Sequence, residues 1–306
     1  MTAAGASCRV HVPATTANLG PGFDCMGLAL DLWNDVSFTL EGNGVSVTIE
    51  GEYAEGLPSD GTNLVAQSFL RMCREAGKAP PAGLRIHCTV RVPTSSGLGS
   101  SSTAVAAGVL GANQLLGRPF ERDRLVELAA DIEGHPDNVA AALLGGLTIV
   151  VRKGDTLLTK KILVPEVNVA LAVPDLAFST KSARAGLPSQ VSMQDAVFNL
   201  GRIPLVVEAL RTRDYELLSK VMEDKLHQAA RIKLIRGGPA AWLAAQHAGA
   251  AAVAISGSGP SLIAFVSLAT DAARVAREMA AAFEAEGVAA RPLWLAASAA
   301  GATVSA

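Results

Sequence analysis

"VPTSSGLGSSSTAVAAGVLGANQLLG", residues 92–117, is a glycine–serine loop that runs straight into an alanine-rich apolar segment of helical character. Gly97 and Gly99 permit backbone conformations closed to other residues and let the main chain approach a ligand closely. The serines that follow put hydroxyls and N–H groups at a helix start, where unpaired amides and the helix dipole favour anions. The stretch therefore reads as a phosphate cradle whose backbone amides replace the lysine it lacks. A plain strand-to-helix turn is the competing reading, because a short glycine motif is weak evidence by itself. No GxxxxGK[ST] string occurs, and Ser102 stands where a dinucleotide fingerprint needs its third glycine.

The chain has 306 residues, 50% of them hydrophobic and 18% charged, with a formal net charge of −2. That composition suits a globular protein with a sizeable core and about two domains. There is no basic block, so nucleic acid is not an expected partner. The four cysteines, Cys8, Cys25, Cys73 and Cys88, form no C-x-x-C pair and have no histidine at zinc-like spacing, which favours reduced thiols and a cytoplasmic setting. The first residues lack the apolar core of a signal peptide, and no segment is long and apolar enough to span a membrane.

Along the chain, "SCRVHVP" reads as a strand ending at Pro13. "DVSFTLEG" and "GVSVTIEG" alternate around "GNG", which predicts a hairpin. A helix follows with Thr62 as its cap and Gly77 as its stop, then the strand "GLRIHCTVRVP". After the glycine loop and its helix comes a second helix, "ERDRLVELAADIEG", and "HPDNVAAALLGGLTIVVRKG" turns from a helix start into a strand. Strands, helices through residues 193–222, two apolar strands, a helix over 270–286 and a last strand complete the order. The tail "AASAAGATVSA" reads as frayed. This alternation predicts α+β layers, divided into residues 1–154 and 155–306.

Two further stretches are dense in glycine and polar residues. "VPATTANLGPGFDCMGLAL" (12–30) holds Asn18, Asp24 and three glycines, and "SGSGPS" (256–261) separates two apolar strands. Read alone, the first is a long connection and the second a tight hairpin.

Together, "PATTANLGPGFDCMGLAL", "PTSSGLGSSSTAVAAG" and "AISGSGPSLIAF" resemble the three motifs of the GHMP small-molecule kinases. "EGHPDNVAAALLGG" and "STKSAR" add a resemblance to the homoserine kinases within them, in order and over almost the whole chain. The resemblance implies an α+β fold with an N-terminal ATP-binding domain containing a left-handed β-α-β unit and a C-terminal ferredoxin-like domain. It implies phosphorylation of the L-homoserine side-chain hydroxyl by Mg-ATP, in threonine biosynthesis. The partners implied are L-homoserine and ATP, with a homodimer left open as the assembly. Another GHMP kinase of a small alcohol, or a catalytically silent ligand sensor on the same fold, are the alternatives.

Residue by residue, the resemblance assigns Pro93, Ser95, Ser96, Gly97, Leu98, Gly99, Ser100, Ser101 and Ser102 to the ATP phosphates, and Asn63 to the base. Asn63 reads equally as a residue of the helix start. Ser101 and Glu127 are expected to hold Mg2+, with Glu133 as the competing carboxylate; Glu127 lies eight residues before His135, as the family's metal carboxylate does before its histidine. The family usually has alanine where Ser102 stands, which leaves open which serine reaches the metal. Arg184, fixed in register by Thr180 and Lys181, and Arg231 are expected on the acceptor's carboxylate, where a guanidinium fork fits. Asp24 and Asn18 are expected on its ammonium, with His135, Asn138 and Thr180 lining the pocket and Gly257 and Gly259 completing it. "HPDN" also reads as a helix cap. Asp137 is the candidate general base, and a base-free reaction stands beside it.

Overall fold

The structure is a computed structural model, and it describes residues 5–305. Strand β1 (Ser7–Ala17) runs antiparallel to β2 (Met26–Thr39), with register Ser7↔Thr39 to Ala17↔Gly27. The sequence placed the end of β1 at Pro13, but the strand continues because the register shifts between Pro13 and Ala14. A bulge tolerates the missing proline N–H there.

The long β2 forks the sheet. Its C-terminal half pairs with β4 (Gly83–Thr89) and its start with β5 (Leu147–Lys153). Strand β3 (Gly44–Glu50) pairs with β4, parallel, and α1 (Leu64–Glu75) joins the two. The hairpin expected around "GNG" is therefore not made: β4 occupies the edge of β2, and β3 adds on beyond it. Asn63, not Thr62, caps α1, its side chain accepting from the Val65 N–H at 2.9 Å.

Helices α2 (Ser100–Leu115), α3 (Arg122–Glu133) and α4 (Asp137–Leu144) cover this sheet. Helix α2 is apolar all round because it lies in the core, not on it. Its small residues allow close approach: a Cβ on Gly111 would lie 2.4 Å from the Phe38 ring. Phe38 and Phe69 pack beneath it, fully buried side chains of a kind worth roughly 1.5–3 kcal/mol each.

Strand β6 (Thr156–Ile162) forms a hairpin with β5, in register from Leu147↔Ile162 to Lys153↔Thr156. The division expected at 154/155 falls at the turn of this hairpin, and residues 163–167 connect it to the next strand. The tail is not frayed either, since β11 (Thr303–Ser305) pairs with β1 and completes the first sheet.

The second sheet has the order β10-β7-β9-β8, all neighbours antiparallel, from β7 (Asn168–Pro174), β8 (Ala252–Ile255), β9 (Leu262–Val266) and β10 (Ala290–Ala296). With α9 (Gly238–His247) and α10 (Ala272–Ala285) packed on it, this is the ferredoxin-like arrangement. Between β7 and α9 come α5 (Thr180–Ala185), α6 (Met193–Thr212), α7 (Tyr215–Val221) and α8 (Gln228–Arg231). One cluster of buried residues draws on both halves, with Met26, Leu28 and Leu147 packed among Val169, Leu171 and Phe265. The two halves therefore share one apolar core.

Candidate active site

The three glycine-bearing stretches meet at the head of one cleft of about 500 Å³. Asn18 Nδ2 donates to Gly257 O at 2.6 Å, Thr15 N to Leu98 O at 3.1 Å, and Ser261 N to Ser96 O at 3.2 Å. Gly97 has φ +84°, and a Cβ there would lie 2.2 Å from Ser256 O. Gly99 has φ +71°, and its Cβ would lie 2.0 Å from Thr15 Oγ1. No side chain fits at either position, so the close contact of the loops dictates glycine.

At one end, α2 begins at Ser100 with Gly99 as its cap residue, and no side chain satisfies its first amides. Ser95, Ser96, Gly97, Gly99 and Ser100 line the cleft, followed by Ser101 and Ser102. Pro93 and Leu98 instead shape the turn. The Pro93 carbonyl accepts from Ser96 Oγ at 2.8 Å, and the Leu98 side chain is buried. Uncapped amides at a helix start favour an anion, which is the chemistry the glycine loop predicts.

The carboxylate beside that helix start is Glu133. Its Oε1 accepts from Ser101 Oγ at 2.5 Å and from Ser102 Oγ at 3.1 Å, and its side chain is 6% exposed. Burial pushes the Glu133 carboxyl up, opposed by the two serines and by His135. The expectation for Glu127 is corrected. Its Oε2 pairs with Arg124 at 2.9 Å and its Oε1 accepts from Leu157 N at 3.3 Å, so it faces β6 and lies outside the cleft. Six residues turn a helix by about 600°, which sends the two carboxylates to different faces.

At the other end, Arg184 forks onto Asp24, with Nη1 donating to Oδ2 at 2.9 Å and Nη2 to Oδ1 at 2.6 Å. Asp24 hydrogen-bonding holds the Arg184 guanidinium above its ordinary range. Asn18 Oδ1 accepts from Asp24 N at 3.0 Å. Arg231 is 1% exposed and its charge lies over the Phe23 ring at 5.1 Å, as that of Arg184 does at 5.6 Å. Burial pushes the Arg231 guanidinium down, and Arg184 adds to that.

Between the two ends, His135 Nδ1 lies 3.1 Å from Asp137 Oδ1, and Nε2 lies 3.8 Å from Glu133 Oε1. The Asp137 hydrogen bond raises His135 above its ordinary range, against the opposing effect of burial. Thr15 Oγ1 donates to Asn138 Oδ1 at 2.8 Å, which orients that amide. Thr180 Oγ1 and Ser258 Oγ are 3.2 Å apart across the cleft, and Gly257 and Gly259 line it. Asn63 lines the far end, with both ends of its amide engaged, on Val65 N and on Pro58 O. The structure thus gives it the capping part of its two readings.

Sequence reasoning did not find Phe23, Ser258 or the partnership of Thr15 with Asn138. Phe23 sits inside the first motif beside Asp24, and its aromatic face is the signal that was available.

Residues 63–146 match the GHMP kinases N terminal domain, and residues 206–285 match GHMP kinases C terminal. The homoserine kinase of Synechococcus sp. (strain CC9605) is 44% identical over 292 residues, 94% of this chain and 92% of that protein. The chain belongs to the homoserine kinase family of GHMP kinases. Within that family, the homoserine kinase of Parasynechococcus marenigrum (strain WH8102) is 43% identical over the same shares of the two chains. A solved structure of the homoserine kinase from Cytophaga hutchinsonii has a TM-score of 0.87 at 34% identity, covering 98% of this chain and 97% of that one. The family is one of phosphotransferases, and the two-domain GHMP kinase fold is the one described above.

Proposed function

We propose that this protein transfers the γ-phosphoryl group of ATP to the side-chain hydroxyl of L-homoserine, giving O-phospho-L-homoserine and ADP on the route to threonine. The observation that carries the reading is a guanidinium–carboxylate pair, Arg184 with Asp24, in the same cleft as the bare N-terminus of α2. An amino-acid zwitterion fits that pair without leaving a charge unmatched. Its carboxylate takes the Arg184 fork, and its ammonium takes Asp24. Arg231 adds a second guanidinium. The relatives' names support the same acceptor.

The phosphates of ATP would rest on the amides at the start of α2, and the base in the apolar end formed by Ile49, Leu57, Pro58 and Val90. Glu133 and Ser101 would hold Mg2+, two hard oxygen donors that leave room for phosphate oxygens and water. Bound there, the ion supplies the positive charge that phosphoryl transfer needs. Asp137 takes the hydroxyl proton, held in place by His135 and by the Asn138 N–H at 2.8 Å. Phosphoryl transfer passes through a loose transition state, so positioning carries most of the rate.

A silent sensor would be expected to have lost the metal carboxylate or the glycine loop; the buried Glu133 beside Ser101 and the tightly packed Gly97 and Gly99 support the kinase reading instead. Among the described residues no helix is long and apolar enough to cross a membrane, and all four cysteines are free, which supports a reducing cytoplasmic setting. The reading is tested by ADP release with L-homoserine, mevalonate, galactose and no acceptor. ADP release that depends on L-homoserine is expected; release with another alcohol and none with homoserine contradicts it.

A further inference from the structure

Behind Arg231 lies a histidine with no place in the reaction. His227 is 1% exposed, precedes α8, and stacks on Phe23 with ring centroids 5.0 Å apart. Its Nε2 lies 2.9 Å from the carbonyl of Gly20, in the first glycine motif. Its Nδ1 lies 3.2 Å from Arg231 Nη1, which also donates to Gly257 O at 3.2 Å.

These partners fix the protonation state. A carbonyl only accepts, so Nε2 must carry a hydrogen; a guanidinium only donates, so Nδ1 must be bare. Only the neutral Nε2–H tautomer meets both demands. The surroundings agree. Burial pulls the imidazole below its ordinary range, against the pull of Asp224, whose nearest oxygen is 3.7 Å away and too far to hydrogen-bond.

Asp224 has another task. Its side chain is wholly buried and accepts from Asn199 Nδ2 at 2.7 Å and from the backbone N–H groups of Leu226, His227 and Gln228 at 3.0, 2.8 and 2.7 Å. Asn199 Nδ2 also reaches Pro21 O at 3.1 Å. The backbone that carries His227 is thereby pinned to α6 and to the first motif.

Arg231 Nη1 has two hydrogens, and His227 and Gly257 take both. Arg231 Nε has no partner among the described residues although it is buried. An unpaired buried N–H is costly and is expected to face a ligand acceptor.

We propose that His227 is a positioning residue that, as a neutral imidazole, anchors Arg231 Nη1 so that the rest of the fork meets the acceptor's carboxylate. This rests on the amino-acid reading of the cleft.

Two near-isosteric substitutions separate the ends of the ring. In His227→Asn the amide oxygen falls near Nδ1 and can still accept from Arg231. In His227→Gln the amide falls near Nε2, so the Gly20 contact is kept and the Arg231 contact is lost. Steady-state kinetics of both variants and the parent, with each substrate varied, are the test. His227→Asn is expected to keep the KM for homoserine within about twofold. His227→Gln is expected to raise it about tenfold, the loss of one hydrogen bond to a charged group, with the KM for ATP unchanged in both.

Equal effects of the two variants on the homoserine KM, or an ATP KM that rises in step, overturns the proposal. Nitrogen-15 NMR of the parent protein is independent of activity, and a protonated Nδ1 at neutral pH overturns it as well. If the parent does not phosphorylate homoserine, the proposed reaction fails instead, and the tautomer measurement still decides the His227 assignment.

Discussion

Glu133 Oε1 lies 2.5 Å from Ser101 Oγ and 3.1 Å from Ser102 Oγ, so the last residue of α3 closes on the first turn of α2. The left-handed Gly134, φ +88°, ends the helix there and lets the chain turn toward His135. Under the proposed reaction, this buried carboxylate among hydroxyls would share a cation with the nucleotide. Glu133→Gln is therefore expected to lower kcat/KM on the order of 100-fold and to raise the magnesium concentration needed for half-maximal rate. Glu127→Gln keeps an oxygen for Leu157 N and loses only a surface pair with Arg124, so its rate should stay within about threefold of the parent. A magnesium titration of both variants checks this, and a reversed ranking removes Glu133 from the metal site.

Arg184 and Asp24 meet through both oxygens and both terminal nitrogens. Arg184→Lys keeps the charge but loses the planar pair of donors. One charge-assisted hydrogen bond is worth roughly 1.5–3 kcal/mol, so kcat/KM for homoserine should fall about tenfold or more with the KM for ATP unchanged. An analogue lacking the carboxylate should be a poor acceptor for the parent and lose little more in the variant. Loss of ATP affinity instead would put Arg184 on the nucleotide.

His135 is hydrogen-bonded to Asp137, and that bond raises the imidazole above its ordinary range. The stabilisation this gives is fully present below about pH 6.5, the ordinary histidine value, and is lost as pH rises through the folded value. NMR titration of the imidazole should give a value above about 6.5 in the parent and a lower one in Asp137→Asn. An unchanged titration would separate the two residues.

Asp35, on β2, accepts from Arg91 at 2.9 Å and is met by His11 at 2.9 Å and Arg9 at 3.2 Å, with its side chain 12% exposed. Burial works to raise the carboxyl, yet these three partners hold it down at about 2. A depressed carboxylate contributes stability above its unfolded value, about 3.9, and loses it as pH falls through the folded value. Asp35→Asn should cost about 2 kcal/mol near neutral pH, a difference that shrinks between about pH 4 and pH 2. Urea unfolding of both proteins across that range checks it, and a gap independent of pH would assign the loss to packing.

The glycine loop could be read from the sequence because its chemistry is local. The glycine–serine spacing before an apolar run is a feature of the local chain, although the contacts with Ser256 and Thr15 that also demand glycine at 97 and 99 are not. Arg184 and Asp24 were legible as separate charges, but their pairing spans 160 residues and no local pattern encodes it. The choice between Glu127 and Glu133 depended on which face of α3 meets α2, and helix periodicity does not say where a helix is docked. The pairing of β3 was missed for a similar reason. Alternation shows that a strand has two faces, while its neighbour is decided by which edge of the sheet is already taken. His227 left no sequence signal, since its role comes from a carbonyl more than 200 residues away.

The most direct measurement is the position of phosphate in the product. The protein is incubated with ATP, magnesium and L-homoserine, and phosphorus and proton NMR are recorded on the purified amino acid. The account predicts one phosphomonoester, coupled to the methylene that bore the hydroxyl, formed in equal amount with ADP. Phosphate on the carboxylate, or no phosphorylated homoserine while ADP accumulates with another alcohol, would contradict it.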